Sequence, residues 1–180
     1  ITMHNLLCMD DCEVHYDNFL ARADILQALG KNVLISKYAE FHRLSAFLSR
    51  HTQMPVGIVL GLPLFEELFN ERWYADLEGG LLEAFGRLFR NKVRLYVYPA
   101  GDPITGKVRN ATQARVSRDQ QHLLNYMLQT GSVHVIKEGL DECLFQTSAS
   151  VRKMIHDGDP RWHSLVPEIV LKQGPWAALL

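Results

Sequence analysis

Cysteine is scarce in this chain: Cys8, Cys12 and Cys143 are the three in 180 residues. They cannot all pair with one another, and a chain of this length can bury a sizeable core without disulfides. A reducing cytoplasm is the expected compartment. No apolar run approaches the about 18 residues that a bilayer-crossing helix needs, so no membrane span is expected. Residues Ile1 to Leu7 lack the basic and apolar regions of a signal peptide and read as a strand cut from a longer protein. Neither sign of charge dominates. The formal net charge of −1 gives no electrostatic basis for binding nucleic acid or an acidic membrane. Gly-x-Gly-x-x-Gly, Gly-x4-Gly-Lys-Ser/Thr, Gly-x-Ser-x-Gly and His-Glu-x-x-His are all missing, and with them the short motifs for dinucleotides, P-loops, hydrolase elbows and zinc proteases. A Ser/His/Asp triad stays open, because such groups meet in space. There is no internal repeat and no low-complexity segment.

What the chain does have is alternation. Val56 to Gly61 reads Val-Gly-Ile-Val-Leu-Gly, a short apolar run closed by Leu62-Pro63, and is expected to be a central parallel strand covered on both faces. Asn5 to Met9, Val33 to Ser36 and Val93 to Tyr98 are similar runs, and Val133 to Ile136 is a candidate fifth. Val93 to Tyr98 alternates Val, Leu and Val with Arg, Tyr and Tyr, which suggests a place nearer the sheet edge. Between the runs lie helical periodicities: Val14 to Leu29 ended by Gly30, Tyr38 to Arg50 with Tyr38, Phe41, Leu44 and Leu48 inward, Leu64 to Asn70, and Leu77 to Arg90 capped by Asp76. Trp73 and Tyr74 are expected to anchor a bend. Glu83 and Arg87 stand four apart in the orientation that favours an ion pair.

Such alternation predicts stacked βαβ units. The fold expected is α/β: a three-layer Rossmann-like domain, with a mainly parallel sheet of four or five strands and a helical carboxyl-terminal extension. Residues 1–136 would form the α/β domain and 137–180 the extension packed on it. Within the domain, 99–116 is a long loop with turn signals and a small hairpin about Gly106. Ser117 and Gln120 match a capping box opening a helix over 117–130. Ser148 to Asp157 is a further helix ended by Gly158, and Pro160 begins another.

Parallel sheets hold ligands at the carboxyl ends of their strands. Those ends offer Asp10 and Asp11, Ser36 and Lys37, Gly61, and Asp102 as ligand-binding candidates. Paired carboxylates suit a hard cation such as magnesium, although acids also favour the start of the helix that follows, and the Asp-x-Asp of a haloacid-dehalogenase-like phosphatase is missing. Ser36 and Lys37 bring a hydroxyl and an ammonium to a phosphate, or form a solvated loop end. Cys8, Cys12 and His15 make Cys-x3-Cys-x2-His, three zinc-type ligands with no second pair downstream. Glu78-Gly79-Gly80 sits in the first turn of a helix, where free backbone donors attract anions but Glu78 repels them. Lys107, Arg109, Arg115 and Arg118 make the long loop basic, either as a solvated loop or as a lid over an anionic ligand. No residue identifies a catalytic role, and no cofactor is implied.

Three stretches taken together, Val33 to Arg50, Asp76 to Pro99, and Ser148 to Pro167 with its Met-Ile-x-Asp-Gly-Asp-Pro-x-Trp core, resemble the carboxyl-terminal region of long, poorly characterised bacterial proteins often labelled nicotinate-nucleotide adenylyltransferase. The resemblance implies a fragment of a larger bacterial protein. It transfers no catalytic residue, since an adenylyltransferase of that class carries His-x-Gly-His near its first strand, where this chain has Asp-Asp-Cys-Glu-Val-His. Three functions are therefore weighed. The first is binding of a small anionic ligand, a nucleotide or sugar phosphate, at the strand ends. The second is an interaction or oligomerisation module using Trp73, Trp162 and Trp176 against a partner or the missing amino-terminal part. The third is an enzyme site completed by another domain.

Overall fold

The computed structural model describes residues 16–36, 38, 40–102, 105–137 and 144–172. In chain order the elements are α1 (Tyr16–Ala28), α2 (Phe41–His51), β1 (Val56–Gly61), α3 (Leu62–Glu67), a 3-10 turn (Glu71–Tyr74), α4 (Gly80–Phe89), β2 (Val93–Tyr98), β3 (Ala100–Gly101), β4 (Val108–Arg109), a 3-10 turn (Ala111–Gln113), α5 (Gln120–Gln129), β5 (Val133–Val135), α6 (Ser148–His156), a 3-10 turn (Pro160–Leu165) and α7 (Glu168–Lys172). They fall into two compact units, one of residues 40–145 and one of the residues before and after it.

The unit of residues 40–145 is α/β. Its described parallel sheet has three strands in the order β1, β2, β5, with Ile58 opposite Leu95, Leu60 opposite Val97, and Leu95 in turn opposite Val133. A parallel pair needs a long crossover, and helices supply it: α3 and α4 lead from β1 to β2, and α5 from β2 to β5. Their apolar stripes meet one face of the sheet. Leu62, Phe65, Leu81, Phe85, Leu88, Leu124 and Met127 join Leu60, Val93, Leu95, Val97 and Val133 in a single core cluster. Phe69 stands edge-on to both Phe65 and Phe85, with centroids 5.4 and 5.2 Å apart, a geometry favoured by the ring quadrupoles. Phe65 is fully buried, so truncating it to Ala would cost about 3–5 kcal/mol.

The other face of this sheet is exposed at Gly57, Val59, Arg94 and Tyr98, which corrects two expectations. Val59 is 65% exposed and Gly57 is also exposed, so β1 is not covered on both faces. Among the described residues β1 is an edge strand and β2 the middle one, the reverse of what their patterns suggested. The alternation of β2 records one-sided covering and not edge position: Val93, Leu95 and Val97 are buried, while Arg94 and Tyr98 are exposed. On β1 the same face is filled by Gly57, Val59 and Gly61, small or apolar residues that hide the alternation. Across it lie the tyrosines of β2. A Cβ on Gly57 would stand 3.0 Å from the Tyr96 ring, and one on Gly61 3.1 Å from that of Tyr98. Tyr96 in turn stacks on His134 at 5.0 Å.

Val33 to Ile35 form no strand, and Ser36 makes only an isolated bridge. Leu34 and Ile35 are about half exposed, without the two-sided burial their apolar character suggested. Asn5 to Met9 lies outside the described residues. Local signals fare better. Gly131 and Gly30 take the left-handed conformation just past α5 and α1. Ser117 and Gln120 each accept from the other's backbone N–H, as a capping box requires. Asp76 does not cap α4; the helix begins at Gly80, and the Glu83 carboxylate accepts from the Gly79 N–H at 2.8 Å.

In the other unit, α1 packs against α7, and Ala23, Trp162 and Val170 are its buried apolar residues. Thr147 caps α6 by accepting from the Ser150 N–H at 3.0 Å.

Candidate functional site

The residues singled out by sequence are not brought together by the described structure. Asp10, Asp11, Lys37, Cys8, Cys12, His15 and Trp176 lie outside the described residues. Ser36 Oγ accepts from the Tyr38 N–H at 3.0 Å, closing a local turn. Gly61 ends β1 beside the Tyr98 ring and precedes a helix of six residues whose Pro63 lacks a donor, poor material for a phosphate-binding turn. Asp102 belongs to the β3–β4 hairpin: its carboxylate accepts from the Thr105 N–H at 3.2 Å, and its carbonyl from the N–H of Gly106, which has positive φ. Among the described residues no group of three or more His, Cys, Asp or Glu is placed to hold a metal ion. No helix there is long and apolar enough to cross a membrane.

The loop from 99 to 116 is tied down through Glu66. Arg109 donates to its carboxylate at 2.6 Å and the Arg115 N–H does so at 2.7 Å, with both side chains of the ion pair largely buried. Arg109 therefore holds the loop to α3. Glu67 beside it accepts from Asn70, Arg72 and the Trp73 indole, and these donors hold its carboxyl below the ordinary range despite burial acting the other way. Trp73 is thus engaged within its own unit, and Trp162, expected at an interface, is buried.

A concave feature with polar lining lies elsewhere among the described residues. Helices α2 and α4 pack side by side because small residues face α4: the Ser45 hydroxyl, fully buried, donates to the Leu88 carbonyl at 3.1 Å. The expected inward face of Phe41, Leu44 and Leu48 is only partly buried, while His42 and Ser45 are the buried residues of α2. Beside this contact runs a groove of about 560 Å³, lined by Arg43 and Arg50 of α2, Arg87 of α4, and Arg90 and Asn91 just beyond it, with His42, Ala46 and Ser49. Arg43 pairs with Glu40 at 3.3 Å and Arg87 with Glu83. Arg50 and Arg90 have no carboxylate partner among the described residues.

His42 forms part of the groove wall at 6% exposure, and its Nε2 is buried without a hydrogen-bond partner among the described residues. Burial pushes its pKa down, against the pull of Glu40, so the neutral imidazole is favoured. Tyr74, 6.4 Å from it, donates to the Leu68 carbonyl at 2.8 Å, and burial lifts its phenol to about 12. Chemically, the groove sets exposed guanidinium groups, the kind of donor that matches the oxygens of an anion, beside a buried, neutral imidazole. Sequence inspection missed it because the four arginines occupy outward positions on two separate helices. Basic residues in the last turn of α2 and α4 also have the ordinary task of complementing the helix dipole.

No family model matches this chain, nor does any curated protein or any solved structure.

Proposed function

We propose that the unit of residues 40–145 is the core of a Rossmann-like domain from a larger bacterial protein, and that it binds a small anionic ligand. The observation that carries the binding is the groove between α2 and α4, where four arginines meet two carboxylates and leave two guanidinium groups unmatched. Three parallel strands joined by helical crossovers support the Rossmann-like reading. Nucleotides and sugar phosphates are the ligand class, since guanidinium forks match phosphate oxygens. The test is a thermal-shift series on the 180-residue chain with inorganic phosphate, sugar phosphates and nucleotides at low salt. Stabilisation of the native chain that is lost in Arg50→Glu/Arg90→Glu supports the reading; no stabilisation by any anion at millimolar concentration overturns it.

A second reading, an interaction module, is favoured by one observation. Val59 and Tyr98 on the same sheet face are 65% and 44% exposed, an apolar and aromatic surface that a second copy or another segment of a larger protein would cover. Light scattering across a concentration series tests the first occupant, and a strictly monomeric chain removes it.

A further inference from the structure

Resting on the anion-binding reading, we infer that the groove selects a phosphomonoester, a compact dianionic head on an uncharged body, over polyphosphates and nucleic acid. The head sits at the Arg50 and Arg90 end, and the body runs toward His42.

The charges along the groove are unevenly balanced. At one end Glu40 neutralises Arg43 and Glu83 neutralises Arg87. At the other, Arg50 and Arg90 carry positive charges with no carboxylate partner among the described residues, and the Asn91 amide in the same lining adds neutral donors. A phosphomonoester near neutral pH carries close to two negative charges and three acceptor oxygens, which matches that end. A chain of phosphates would extend toward Arg43 and Arg87, whose charges are already matched by Glu40 and Glu83, and would gain less there than at the Arg50 and Arg90 end. The groove also exceeds what a bare phosphate needs, at about 560 Å³. From Arg50 back to His42 is eight residues along α2, roughly 12 Å at the helical rise, room for a sugar or nucleoside body. Along that path Arg43 and Arg87 are already paired with carboxylates, and the remaining polar groups, Ser49 and His42, carry no fixed charge. The Ser49 hydroxyl spends its proton on the Ser45 carbonyl at 2.5 Å, leaving its oxygen to accept from a ligand hydroxyl.

Isothermal titration of the 180-residue chain at low salt, with inorganic phosphate, glucose 6-phosphate, AMP, ATP and a single-stranded RNA oligonucleotide, tests this. One of the two monoesters is expected to bind more tightly than phosphate, ATP and RNA. Arg50→Ala and Arg90→Ala, both at exposed positions, should each weaken it by about tenfold or more, the scale of a lost charge-assisted hydrogen bond. Arg43→Ala, which removes an arginine already paired with Glu40, should weaken it less than either, and Glu40→Gln/Glu83→Gln should shift preference toward ATP. Each variant's unliganded melting temperature checks that the fold is kept. Tighter binding of ATP or RNA by the native chain, or equal losses at Arg43 and Arg50, overturns the inference while leaving anion binding in place. Absence of heat with every anion overturns both.

Discussion

Tyr74→Phe separates two effects that the structure assigns to one hydroxyl. At neutral pH the substitution removes the bond to the Leu68 carbonyl, which is buried with it, at a cost of about 1 kcal/mol. At alkaline pH the balance changes sign. Burial, with Glu40 and Glu67 adding to it, raises the phenol from an ordinary value near 10 to about 12, so the folded chain keeps a proton that the unfolded chain gives up. The unfolded state then binds fewer protons, and native stability falls as pH rises through that window. The gap amounts to about 1.3 kcal/mol between about pH 9 and pH 11, and about 2.7 kcal/mol once both states have ionised. Phenylalanine cannot ionise and escapes this loss. Urea unfolding followed by tryptophan fluorescence should show the variant less stable by about 1 kcal/mol at pH 7 and equal to the native chain, or slightly better, near pH 11. Every other ionisable group is common to both proteins and cancels in the difference. A gap that stays constant from pH 7 to 11 would refute the burial argument.

Further outcomes follow from the same packing. His42, its pKa pushed down by burial, contributes stability that is fully present above the unfolded value near 6.5 and lost as pH falls toward the lower folded one; His42→Phe should flatten the urea-midpoint profile on that acid limb, and an unchanged slope would count against it. Glu66→Gln should cost about 2 kcal/mol by weakening the largely buried Arg109 pair, and hydrogen exchange over residues 105–116 should quicken; protection equal to the native chain's would sink the tether. Gly131→Ala should lower stability by about 1 kcal/mol, measured by chemical denaturation, because its φ of 71° is costly for any residue with a Cβ.

What sequence made legible was what neighbours along the chain decide. The Ser117–Gln120 cap, the Glu83–Arg87 pair, the stops at Gly30 and Gly131 and the hairpin about Gly106 each depend on a few consecutive residues, and each is in the structure. Burial from non-local packing was not legible. Val59 looks like a core residue until its exposure in the sheet is known. His42 and Ser45 look solvent-facing until α4 arrives against them. The arginine groove is the extreme case, since its two walls are about forty residues apart in sequence.

The contact of Gly57, Tyr96 and His134 binds three positions on three strands into one unit of variation. A Cβ at 57 would press on the Tyr96 ring at 3.0 Å, and that ring is already backed by the His134 imidazole at 5.0 Å, so it has little room to yield. Alanine at 57 should therefore be costly alone and nearly free when 96 is first made smaller, a non-additivity that a double-mutant cycle would read directly. Sequences diverging from this one must cross that ridge in a fixed order, shrinking the ring before growing the strand beneath it.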